Sequence, residues 1–184
     1  MDGPDPRTAA KLARAAGCRV VASHRLHDGT VAHELGCHSH AAKVRFLDLL
    51  AEWDSLQPDV RRTAEQICRG SRHQLDQIAA LHRMVRDGVL HTDEPRETFT
   101  APMYVLRNGV GDCDDTARLL LALLRSLGLS GRLGTLGSPP RHVAAQVQLA
   151  GAWWWLETTI DAEPGEHPLD AAKRLGITTR GDLE

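Results

Sequence analysis

The stretch VGDCDDTARLLLALLRSLGLSGR, residues 110–132, decides what the rest of the chain is built around. From Cys113 onward it is dense in leucine and alanine, which is the composition of a buried helix, and Gly128 ends it. Asp112 suits the N-cap, and Asp114 and Asp115 suit the first turn, where carboxylates complement the positive end of the helix dipole. Cys113 therefore stands at the polar start of the helix, facing free backbone N–H groups, and outside the leucine run where a structural thiol belongs. The helix start favours a thiolate. Three aspartates oppose it, so activation requires a cationic partner such as an imidazolium.

Downstream the period of the apolar residues shortens. GRLGTLG (131–137), HVAAQVQLA (142–150) and AWWWLETTI (152–160) are short segments separated by turns at Pro139-Pro140 and Ala150-Gly151, which predicts an antiparallel meander. Upstream, the pattern predicts helices over Ala41–Trp53, from Pro58 to Gly70, and over Gln74–Arg86, the last with His82 on its packing face. Residues 88–111 lack a period and are expected to form a long loop. CRVVASHRLHDGTVAHELGC (18–37) has Asp-Gly between two alternating segments, a hairpin signal, while the terminus MDGPDPRTAA is acidic and turn-forming. DAAKRLGITTRGDLE (170–184) offers a short helix and a polar tail. Helices first and strands after define an α+β domain. Residues 58–184 form the predicted catalytic domain, and residues 1–57 an amino-terminal extension.

A chain of 184 residues with 22 basic and 24 acidic side chains, net −2, gives no reason to expect a nucleic-acid partner. It has no apolar run of membrane length and no secretion signal, so a cytoplasmic, membrane-free protein is expected. Without such a signal Cys18, Cys37, Cys68 and Cys113 are expected to be free thiols. Cys37, His38 and His40 in CHSH (37–40) are the one local group of candidate metal ligands; clustered polar loop residues explain them better, so no metal or other cofactor is expected.

His142, opening a strand after the proline turn, is the candidate imidazole. If the two later strands turn about Ala150-Gly151 so that Leu149 faces Ala152, Ala144 faces Glu157, and Glu157 lies diagonally beside His142 on one face. Cys113, His142 and Glu157 are then a nucleophile, a base and an orienter. Asp161 has the same parity and is the alternative third member. By the same parity Trp153 and Trp155 share the face of Glu157, and Trp154 points the other way.

GDCDD before a leucine-rich helix, then LGLSGR, then a strand-opening histidine and WWWLETT, resembles the transglutaminase-like cysteine enzyme superfamily, in particular its small phage- and prophage-associated kind, over roughly residues 58–165. The resemblance implies a papain-like α+β core in which the nucleophile's helix packs on an antiparallel sheet. It also implies Cys113 as nucleophile, His142 as general base, and a protein or peptide amide as substrate. Glu157 occupies the place where that family usually has aspartate in a Leu-Asp-Pro-Thr stretch, and Thr158 replaces the proline. Hydrolysis and amine crosslinking share all chemistry up to the thioester, so both stay open, as does the oligomeric state. The competing class is a non-catalytic binding module with the same fold, used in a phage particle or larger assembly.

Overall fold

The helix that starts at Cys113 is the centre of the computed structural model, which describes residues 3–26, 29–92, 98–137 and 142–177. Fifteen elements follow one another among the described residues: α1 (Pro6–Ala16), β1 (Cys18–Arg25), β2 (Val31–Cys37), α2 (His40–Ser55), α3 (Pro58–Ile67), α4 (Gln74–Gly88), β3 (Leu90–His91), β4 (Thr98–Phe99), α5 (Pro102–Asn108), β5 (Val110–Gly111), α6 (Cys113–Ser126), β6 (Gly131–Leu136), β7 (His142–Leu149), β8 (Ala152–Leu156) and α7 (Pro168–Arg174). The architecture is α+β, as expected, with helices on an antiparallel sheet.

The Asp112 side chain caps α6, accepting from the Asp115 N–H at 3.0 Å. Every residue from Asp114 to Leu124 is buried, because α2, α3, α4 and α5 pack around the helix and β6 and β7 pack on it as well. One apolar cluster joins Val60 and Ala64 of α3, Ile78, Leu81 and Val85 of α4, Leu119, Leu120 and Leu123 of α6, and Ala145, Val147 and Leu156 of the sheet. Each of these larger side chains contributes about 1.5–3 kcal/mol by leaving water.

β6, β7 and β8 form an antiparallel sheet in that order, with Leu149 opposite Ala152 and Ala145 opposite Leu156. This is the register expected from the sequence. Its cause is local: Ala150 (φ 50°) and Gly151 (φ 81°) both adopt the left-handed conformation that a two-residue type I′ turn demands. The Pro139-Pro140 turn lies outside the described residues.

The first 57 residues are tied closely to α6. α2 lies against it, and a second cluster unites Ala13 of α1, Phe46, Leu47 and Leu50 of α2, Phe99, Ala117 and Val143, with the Phe46 and Phe99 rings edge to face at 5.6 Å. β1 and β2 form the expected hairpin, whose turn residues 27–28 are not described, and β4 extends it to a three-stranded sheet in the order β1-β2-β4. Three expectations fail here. Cys18 and Cys37 are not free thiols: the hairpin register sets them opposite each other, with Cα atoms 4.2 Å apart, and they form a disulfide. The terminus is not merely turn-forming, because Asp5 caps α1, whose Ala9, Ala13 and Ala16 let it pack closely. The 88–111 segment is not all loop. Pro102 starts α5 and Gly109, in the left-handed conformation, ends it; seven residues are too few to establish a helical period.

Candidate functional site

Cys113 is the first residue of α6, partly buried, with its Sγ 3.9 Å from Asp114 Oδ1. The neighbouring carboxylates have work of their own. Asp112 caps the helix, Asp114 Oδ2 meets Lys43 Nζ of α2 at 2.6 Å, and Asp115 Oδ1 accepts from the Thr100 N–H at 3.1 Å. One turn on, the buried Arg118 donates through Nε and Nη2 to Asp54 (2.6 and 3.1 Å) and through Nη1 to the Thr100 carbonyl (2.9 Å). Segment 98–101 is thereby strapped to the helix that carries the cysteine.

His142 opens β7, and its Nε2 lies 2.6 Å from Glu157 Oε2, just past the end of β8. Glu157 is 1% exposed, and its other oxygen accepts from the Thr159 N–H (2.7 Å) and hydroxyl (2.8 Å). The Cys113 side chain acts on the same ring, so cysteine and carboxylate both bear on the imidazole. Burial opposes the imidazolium, but hydrogen bonds to Cys113 and Glu157 and the charges of both outweigh it and raise the His142 pKa to about 10. Burial also works against the Glu157 carboxylate. The imidazolium and the Thr159 donors reverse that and leave its pKa below the ordinary value. Cys113, His142 and Glu157 thus come together in one contiguous set.

Asp161 does not join them. Its Oδ1 lies 3.0 Å from Arg86 Nη1, with the side chain 70% exposed. Trp154 packs against the core, while Trp153 lies under the Arg132 guanidinium (4.1 Å to the ring centre) and Trp155 meets His167 edge to face at 5.2 Å. Beside Lys43 opens a cleft of about 400 Å³ lined by Leu35, Cys37, His38, Ser39, His40 and Phe99. Cys37 is bonded to Cys18, so its sulfur is no thiolate ligand, and among the described residues no group of three potential ligands converges on a metal position.

Two participants escaped sequence reasoning. Thr159, two residues beyond Glu157, holds the carboxylate; its place at the threonine of the Leu-Asp-Pro-Thr stretch was the signal that could have found it. His82 donates from Nε2 to the Glu157 carbonyl at 2.5 Å, across 75 positions of sequence. A histidine on the apolar face of α4 was its only trace, and that trace reads as packing.

The sequence profile of the Transglutaminase-like superfamily matches residues 61–163, more than half of the chain. No curated protein matches it. Among solved structures, a candidate protease from Parabacteroides distasonis is 14% identical over 77% of this chain and 30% of its own, with a TM-score of 0.57, which is a likeness of fold. A candidate cysteine protease from Cytophaga hutchinsonii is 20% identical over 55% of this chain and 37% of its own (TM-score 0.49), and a TGase is 12% identical over 95% and 53% (TM-score 0.42). The chain spans about a third of the length of the two proteases and about half of the TGase. No helix among the described residues is long and apolar enough to cross a membrane.

Proposed function

The chain belongs to the transglutaminase-like superfamily, and from that premise we propose that it catalyses thiol-dependent acyl transfer on peptide or side-chain amides through Cys113, His142 and Glu157. One observation carries the proposal: the His142 imidazole is held by the buried Glu157 carboxylate 2.6 Å away, and the Cys113 thiol at the helix start joins it in drawing the ring toward its charged form.

Cys113 Sγ attacks the carbonyl carbon as thiolate, its proton held by His142. Backbone N–H groups at the α6 start, that of Cys113 included, stabilise the oxyanion, since they have no partner within the helix. The C–N bond then breaks, the His142 proton passes to the leaving amine, and a thioester remains on Cys113. Water or a second amine attacks the thioester, gives its proton to His142, and expels the Cys113 sulfur. Glu157 keeps the ring oriented and stabilises its charged form throughout. Water yields a hydrolase and an amine yields a crosslink. A phage-associated role in processing or crosslinking rests on the sequence resemblance alone, and a cytoplasmic site of action on the character of the amino-terminal sequence and the lack of a membrane-length apolar run.

The test compares the wild type with Cys113→Ala and His142→Ala on a pool of amide-containing peptides, with and without a primary amine, read by mass spectrometry. We expect peptide cleavage, deamidation or amine incorporation by the wild type only, and faster iodoacetamide alkylation at Cys113 than at the buried Cys68. Turnover by folded Cys113→Ala would refute the proposal.

A further inference from the structure

Glu157 lies one residue beyond Leu156, the last residue of β8 paired in the ladder, so the sheet no longer fixes its main chain. The side chain of that residue nevertheless has to meet His142 at 2.6 Å. From a distant part of the sequence, α4 brings His82, 1% exposed, with Nε2 2.5 Å from the Glu157 carbonyl oxygen. A carbonyl only accepts, so Nε2 of His82 carries the hydrogen. The α4 helix is firmly seated, because Ile78, Leu81 and Val85, on the same face as His82, are fully buried in the core. One turn later Arg86 donates to the Ala162 carbonyl at 2.9 Å and pairs with Asp161 at 3.0 Å. The same helix thus grips the chain on both sides of the turn that follows Glu157.

We propose that His82 is a positioning residue for the acid of the site: its hydrogen bond fixes the Glu157 backbone, and so sets where the carboxylate meets the imidazole of His142. The inference rests on the function proposed above but concerns geometry that is measurable without turnover. His82 meets the Glu157 main chain and acts through Glu157. A shared Cα links the two hydrogen bonds of Glu157, so letting its carbonyl drift moves its carboxylate as well. Burial keeps His82 neutral at physiological pH by pushing its pKa below the ordinary value, which suits a fixed donor. The charged groups around it are Arg86 on its own helix and Glu157 and Glu163 on the facing segment.

Three variants of the full chain test this. His82→Gln places an amide N–H near the position of Nε2, His82→Asn fills the site with an amide too short to reach, and His82→Leu removes the donor. The primary readout is the NMR titration midpoint of the His142 ring, with iodoacetamide alkylation of Cys113 as a second. The expected result is a drop of at least one pH unit, a tenfold weaker hold on the proton, in His82→Asn and His82→Leu, with most of it recovered in His82→Gln. If His82→Leu does not fold, the Asn and Gln pair gives the same contrast. A His142 midpoint that stays at the wild-type value in folded His82→Asn or His82→Leu overturns the proposal, and so does a Gln variant as impaired as the Asn variant. Turnover is a separate matter: an inactive wild type with the predicted midpoints would sink the enzyme assignment and leave His82's role standing.

Discussion

Replacing Glu157 by glutamine should take from His142 a large part of what keeps it charged. The imidazole rises from its ordinary value of 6.5 to about 10, and that difference corresponds to roughly 5 kcal/mol in favour of the imidazolium. The upward causes divide between two partners, a hydrogen bond and a charge from Cys113 and the same from Glu157, while burial opposes them. Glutamine removes the Glu157 charge and retains a neutral oxygen, so the midpoint should fall by at least one pH unit, a change on the order of 1–2 kcal/mol. NMR titration of the His142 ring measures this directly. Asp161→Asn is the control, because Asp161 faces Arg86 and solvent and should leave His142 unmoved. The effect also has a pH signature in stability. The folded pKa of His142 is raised, so its contribution is fully present below about pH 6.5 and fades as the pH climbs through about 10. The folded pKa of Glu157 is lowered, so its contribution is present above its ordinary 4.5 and is lost as the pH falls through the lowered value. The stability gap between wild type and Glu157→Gln should therefore be widest between about pH 4.5 and 6.5 and narrow on either side. A midpoint within half a unit of wild type, or a larger shift in Asp161→Asn, would refute the assignment of Glu157.

Two further outcomes follow from the packing around α6. Arg118→Leu strands the buried Asp54 carboxylate and should cost about 3–5 kcal/mol in urea unfolding, whereas the Arg118→Leu/Asp54→Leu double variant should recover most of that; simple additivity would contradict the pairing. Reduction of Cys18–Cys37, separated by 19 positions, should lower stability by about 3 kcal/mol. Thermal unfolding with and without reductant, with Cys113 blocked, checks this, and an unchanged transition would show that the crosslink adds nothing.

What the sequence revealed and what it hid divide along physical lines. α6 was legible because its signals are adjacent: Asp112 as cap, an apolar run, Gly128 at the end. The partnership of His142 with Glu157 was legible because a two-residue turn with both residues at positive φ permits one register, and alternation does the rest. β4 joins β2 through two residue pairs, β3 and β5 meet through two more, and the Cys18–Cys37 bond needs a register before it can be drawn. Contacts of that kind leave no periodic mark. α1 is a different case: its alanine stripe contrasts strongly with a charged face, and Asp5 as cap, Pro6 in the first turn and Gly17 at the end punctuate it, so its signals stand in the sequence and only the acidic, proline-bearing start suggested a turn. His82 and Arg118 were both visible as residues on helical faces, but their partners lie 75 and 64 positions away.

α6 has no solvent-facing side over most of its length, and Cys113 stands at its tip like a tool on a fixed post. Nearly any exchange along the post disturbs a neighbour on some side, so variation among descendants of such a protein is channelled elsewhere. The segments that reach the tip come from distant parts of the chain, 98–101 and the start of α2, and side chains of the first turns of α6 meet them: Asp115 and Arg118 the first, Asp114 through Lys43 the second. The tip is thus assembled from three separate stretches of chain, and a change in either arriving segment alters the surroundings of Cys113 without touching the post.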